Sequence, residues 1–135
     1  MPIQDKSLRR RYAKLRKHCE LIDWDHDCCH GAFQIHHIMR GIWRHDTVWN
    51  MISVCGVAHD RIHDINRMTW EESQIVCWCR KMQLGEFDVA EIENSFRTSV
   101  RNYIEEELRL RTIGLKYRSM AAELLLACVA QKGSA

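Results

Sequence analysis

Residues 32–63 read AFQIHHIMRGIWRHDTVWNMISVCGVAHDRIH, and the fold turns on this stretch. Residues 32–38 are short, β-branched and aromatic, which predicts a strand. Residues 39–49 make a long irregular connection, and residues 51–55 (MISVC) alternate as a second strand. Gly56 opens a short helix through about residue 65, with Ile62 and Ile65 turned to the core. His59 and His63 stand four apart on that helix, so both imidazoles leave one face, a spacing that suits two ligands on one divalent ion. His36 and His37 end the first strand, where a hairpin followed by a helix can bring them against the other pair. Neighbours on a strand point to opposite sides, so one of the two faces the ion and the other lies beside it, a division into ligand and base.

Outward from this centre the chain is predicted to be helical. Leu8, Tyr12, Leu15, Cys19 and Ile22 step by four and three and form one apolar stripe on an N-terminal helix. Downstream, Thr69 with Glu72 makes a capping box, followed by a stripe of Ile75, Trp78, Cys79 and Met82, and Gly85 ends that helix. Asp88 with Glu91 starts another, with Val89, Ile92, Phe96, Val100 and Tyr103 inward, and Gly114 breaks it. A last helix over residues 115–131 turns Met120, Ala121, Leu124, Leu125 and Cys128 inward. The fold class expected is α+β, one domain in three parts. These are a basic N-terminal helix over 1–22, a hairpin-and-helix core over 28–66, and about three C-terminal helices over 69–131.

Composition narrows the function classes. The 135 residues are 46% hydrophobic and 28% charged, a globular balance rather than a disordered one. No run approaches the ~18 apolar residues of a membrane span, so no membrane partner is expected. The basic N-terminus has no apolar core behind it and does not read as a secretory signal, which points to a cytoplasmic protein. Residues 1–17 carry Lys6, Arg9, Arg10, Arg11, Lys14, Arg16 and Lys17 against Asp5 alone, whereas the remainder is net acidic. Such asymmetry fits either a basic arm for a polyanion or a solvated helix face. The seven cysteines include no CxxC pair and read as reduced thiols. All but one of the eight histidines fall between His26 and His63.

The series His36-His37-Ile38, Asn50, His59 and His63, with strand residues 52–55 between, resembles the HNH endonuclease motif of the ββα-metal nucleases. The likeness covers about residues 28–64. It implies that His37 is the general base that takes a proton from the attacking water, and that Asn50 pins the long loop and orients that base. It also implies that His36, His59 and His63 hold one divalent ion (Mg, Mn, Ni or Zn), most like the all-histidine version of the colicin DNases. DNA is the implied partner, cleaved to 5′-phosphate and 3′-hydroxyl ends. Arg9, Arg10, Arg11 and Lys14 on the first helix, with Arg40 and Arg44 in the loop, are the candidate phosphate contacts.

Two departures from that family stand out. Ala58 sits where a CxxC pair with Cys55 would close, so a structural zinc is not expected; a degenerate site of His26, Cys29 and Cys55 is the weaker alternative. His36 stands where many relatives have Asp. Trp43 and Trp49 are expected to pack the loop on the body, with base stacking as the alternative. A metal-stabilised DNA-binding or scaffold protein, non-catalytic or activated by a partner, is the competing function, and the C-terminal helices leave open a homodimer or a protein partner. A zinc protease is disfavoured, because Asp60 is one methylene too short for the HExxH glutamate.

Overall fold

A computed structural model describes residues 2–16, 19–21, 33–96 and 99–133. Among them it is an α+β arrangement, mostly helical, with six α-helices around one two-stranded antiparallel hairpin. Strand β1 (Gln34–His37) pairs with β2 (Met51–Val54) in a register that sets His36 opposite Ile52 and His37 opposite Met51. The connection between them contains two 3-10 turns, Gly41–Trp43 and Val48–Asn50. Helix α2 (Gly56–His63) follows directly, its start capped by the Cys55 sulfur accepting from the Ala58 N–H. Ile65 lies beyond its end and is 72% exposed, not turned inward as its spacing predicted, because α2 stops at His63.

Helix α1 (Lys6–Leu15) is capped by Asp5, whose carboxylate accepts from the Leu8 N–H. Only Tyr12 of the expected stripe is buried within it. Leu15 is 81% exposed, and the helix ends there, so Cys19 reaches the core from a separate turn. Ile22 lies outside the described residues. Tyr12 anchors a buried ionic network with no sequence signal. Its O–H donates to Glu20, Lys81 Nζ stands 3.1 Å from its oxygen and 2.8 Å from Glu86, and Arg16 pairs with both Glu20 and Glu86. Burial pulls the Lys81 ammonium below its ordinary value, an effect that Glu86 partly offsets. Glu20 also covers the free edge of β2, since its N–H donates to the Ser53 carbonyl and its carboxylate accepts from the Ser53 N–H, both at 2.8 Å.

The C-terminal part is built on α3 (Trp70–Gln83), which starts at the expected Thr69–Glu72 capping box. Residues 72–79 are buried without a break, so α3 is the central helix rather than one with a single apolar stripe. Gly85 follows it at φ 72, the left-handed turn that a glycine makes at least cost. The one helix expected over residues 88–113 is two, α4 (Val89–Phe96) and α5 (Val100–Arg109), giving four C-terminal helices. The second start is explained by capping: the Ser99 hydroxyl accepts from the Asn102 N–H, and Glu93 accepts from the Val100 N–H. Helix α6 (Leu115–Gly133) lies along α3 and α5, with Ala121, Leu124 and Cys128 buried as expected. No helix among the described residues is long and apolar enough to cross a membrane.

Candidate metal centre

The hairpin and α2 together position the histidines. On β1, Gln34 and His36 share one face and Ile35 and His37 the other, because side chains alternate along a strand. The first face looks at α2. There His36, His59 and His63 converge, with one ring nitrogen from each within 4.8 Å of the others, forming a group that could hold a metal ion. His59 Nε2 and His63 Nε2 are 3.0 Å apart. Two nitrogens that each bind one ion at ~2.0–2.1 Å stand roughly 2.9–3.4 Å apart at octahedral or tetrahedral angles, so this spacing fits a shared ion.

Protonation fits it too. Burial drives the His36 imidazole down to about 3, with the neighbouring His63 and His59 adding to the effect. His59 is lowered by burial and then by His63, and His63 by burial and then by Arg40. All three therefore stay neutral near pH 7, the form that binds a metal. Gln34, which the motif reading missed, completes the set. Its amide oxygen accepts a hydrogen bond from His59 Nδ1, which puts the proton there and leaves Nε2 as the lone-pair nitrogen. The available signal was the period of two, which sets residue 34 on the same face as His36.

The second face carries His37 into a different environment. Its Nε2 lies 2.8 Å from Asp46 Oδ1 in a buried pair. The Asp46 carboxylate also accepts from the Asp5 N–H at 2.9 Å and stands 3.8 Å from Arg9, so the start of α1 docks on it. Burial raises the Asp46 carboxyl, but its hydrogen bonds to His37 and Asp5 outweigh this and hold it ionised. An ionised carboxylate can only accept, so Nε2 of His37 carries the proton and Nδ1 carries the lone pair. Burial lowers the His37 imidazole, the Asp46 hydrogen bond working against it.

Asn50 is fully buried and pins the long loop. Its Oδ1 accepts from the Met39 N–H at 2.7 Å, and its Nδ2 donates towards the carbonyls of His45, Trp43 and Met39 at 3.0, 3.2 and 3.3 Å. The hydrogen bond that holds His37 comes from Asp46, next in chain to the pinned His45, and not from Asn50. His45 itself stays out of the cluster, with Nδ1 accepting from the Ile3 N–H.

The candidate phosphate contacts divide by position. Arg10, Arg11 and Lys14 are exposed on α1, while Arg9 is partly engaged by Asp46. Arg40 lies over the Trp70 ring at 3.7 Å and close enough to His36 and His63 to lower both. Arg44 is exposed and acts on His37 in the same way. Trp49 is buried and packs the loop inward as expected, whereas Trp43 rests on Phe96 with one side open. Cys55 is buried with Cys19 hydrogen-bonded beside it; His26 and Cys29 lie outside the described residues.

Comparison with protein-family models, curated proteins and solved structures returns no match.

Proposed function

We propose that this chain is a metal-dependent endonuclease of the HNH type, built on a ββα-metal core and acting on DNA. One observation carries the reading: neighbouring residues of one strand are dealt to two tasks. His36 joins His59 and His63 in a cluster of neutral imidazoles, while His37 is held by a carboxylate on the other face.

The residues support a hydrolytic mechanism. His37 Nδ1 is the atom that would accept the proton of an attacking water, since Nε2 is engaged by Asp46. Asp46 fixes the ring and its tautomer, and it stabilises the imidazolium that results. Asn50 holds the loop that carries Asp46. Arg40, near His36 and His63, and Arg44, near His37, would supply positive charge for phosphate oxygens. A divalent ion held by His36, His59 and His63 would supply Lewis acidity and offset charge at the leaving 3′ oxygen. The exposed cations of α1 would add sequence-independent affinity that weakens steeply with salt.

The test is cleavage of supercoiled plasmid by the purified protein with Mg, Mn, Ni or Zn, beside His37→Ala. Metal-dependent nicking or linearisation that the variant loses is the expected result. Metal binding without cleavage under any of these ions would refute the enzyme and favour a DNA-binding scaffold.

A further inference from the structure

Next to the histidine cluster lies a cavity of about 240 Å³ that the proposed chemistry does not use. Trp43, Trp70, Phe96 and Tyr103 wall it, and Arg40 and Trp70 belong to both places: Arg40 covers the Trp70 ring, and that ring stands 6.5 Å from the His36 ring. The walls are aromatic, with Trp43 and Phe96 centroids 5.3 Å apart and Phe96 and Tyr103 at 5.6 Å. Among the described residues no carboxylate lines the cavity, and its buried polar wall is Gln74. The Gln74 amide oxygen accepts from the Tyr103 hydroxyl, which leaves its NH2 group as the donor side of the amide.

Size, shape and polarity together specify the occupant. An engineered cavity of ~150 Å³ takes benzene, so this one has room for a heteroaromatic ring. Flat aromatic walls favour a π-face, the buried amide offers a hydrogen bond to a ring edge, and a guanidinium at the mouth suits an attached anion. A purely apolar ligand would leave Gln74 unused, and a carboxylic acid would not need four aromatic walls. We propose that this cavity receives one unstacked nucleobase of a strand whose phosphate lies at the histidine cluster. The proposal rests on the nuclease reading and deepens it. The substrate then offers an extrahelical or single-stranded nucleotide beside the scissile bond, because a base inside a duplex cannot enter a walled cavity.

The experiment uses the full chain in EDTA, so that binding is read without turnover. A short single-stranded DNA oligonucleotide carrying one central 2-aminopurine is titrated with protein, followed by anisotropy and by 2-aminopurine fluorescence, beside the same sequence as a duplex. The expected result is quenching on binding, with the single strand bound more tightly than the duplex. Trp43→Ala, at a position 39% exposed, should weaken single-strand binding by about 5- to 150-fold, the loss carried by one base–aromatic stack, with an unchanged urea midpoint showing that the fold is kept. Gln74→Met, which keeps the side-chain volume, should weaken it less while leaving the quench. Unchanged fluorescence on binding, equal affinity after Trp43→Ala, or preference for the duplex would each overturn the pocket. Quenching with no plasmid cleavage under any metal overturns the nuclease alone; cleavage without quenching overturns the pocket alone.

Discussion

Asn50 gives the sharpest test of how the site is held together. Its side chain is fully buried, and one acceptor and one NH2 group serve a main-chain donor at Met39 and carbonyls at Met39, Trp43 and His45. Asn50→Ala strands a buried N–H at Met39 and removes the donor from the three carbonyls. A stranded buried group costs ~1–3 kcal/mol, so with partial relaxation of the carbonyls towards water the loss should be about 2–4 kcal/mol. Asn50→Asp is nearly isosteric and keeps the acceptor for Met39, yet it should be worse. Its second oxygen would face three carbonyl oxygens where Nδ2 now donates, and a buried carboxylate without a cation loses on the order of 3–5 kcal/mol.

The assay is urea unfolding followed by far-UV circular dichroism at pH 7.5 in EDTA, comparing both variants with the parent chain. Donation is the point at issue, so the order of the two variants matters more than either value. If Asn50→Asp is as stable as the parent, or clearly more stable than Asn50→Ala, then Asn50 is a packing residue and the pinning of the loop is refuted. Acidification should narrow the gap between the two variants, because the new carboxyl of Asn50→Asp, once protonated, can donate to one of the carbonyls.

Three further outcomes follow from the same geometry. Gln34→Leu should weaken Zn or Ni binding, measured by isothermal titration, by about 10- to 100-fold through loss of the His59 tautomer, while His59→Ala should weaken it further; unchanged affinity in Gln34→Leu would remove Gln34 from the site. The metal-free protein should lose stability as pH falls from ~6.5 towards 3, because the unfolded chain protonates His36 in a range where the folded chain keeps it neutral. The His36 contribution is thus constant above that window and falls by up to roughly 5 kcal/mol across it, and a urea midpoint unchanged between pH 7.5 and 5 would contradict this. In the buried network, Glu86→Leu should cost about 3–5 kcal/mol by leaving Lys81 and Arg16 without their shared carboxylate, whereas Lys81→Met should cost less because Glu86 keeps Arg16; equal unfolding free energies for the two would refute that asymmetry.

Much of this molecule was legible from side-chain periods, and the parts that were not share one physical cause. Histidines at i and i+4 on a helix, and alternation on a strand, are local rules, and they put His59 beside His63 and separated His36 from His37. Capping is equally local, so Thr69–Glu72 was readable. The break into α4 and α5 was hidden because Val89, Ile92, Phe96, Val100 and Tyr103 keep one helical phase across it, and only the Ser99 cap and the Glu93 contact to Val100 mark the new start. Leu15 and Ile65 failed for a related reason: periodicity says which face is apolar but not where the helix stops, and each sits at or past an end.

What no local rule reaches is a partner chosen across the chain. Asp46 meets His37 nine residues away only because Asn50 folds the intervening loop back, and the start of α1 then closes over the pair through Asp5 and Arg9. The same closure makes the basic helix more than a bearer of charge. Arg9 touches the carboxylate that holds His37, so a polyanion drawing on α1 would pull at the group that sets the imidazole's tautomer. In the proposed nuclease, binding charge and catalytic geometry are coupled there through one buried carboxylate, and His37 is therefore the residue whose state reports on both.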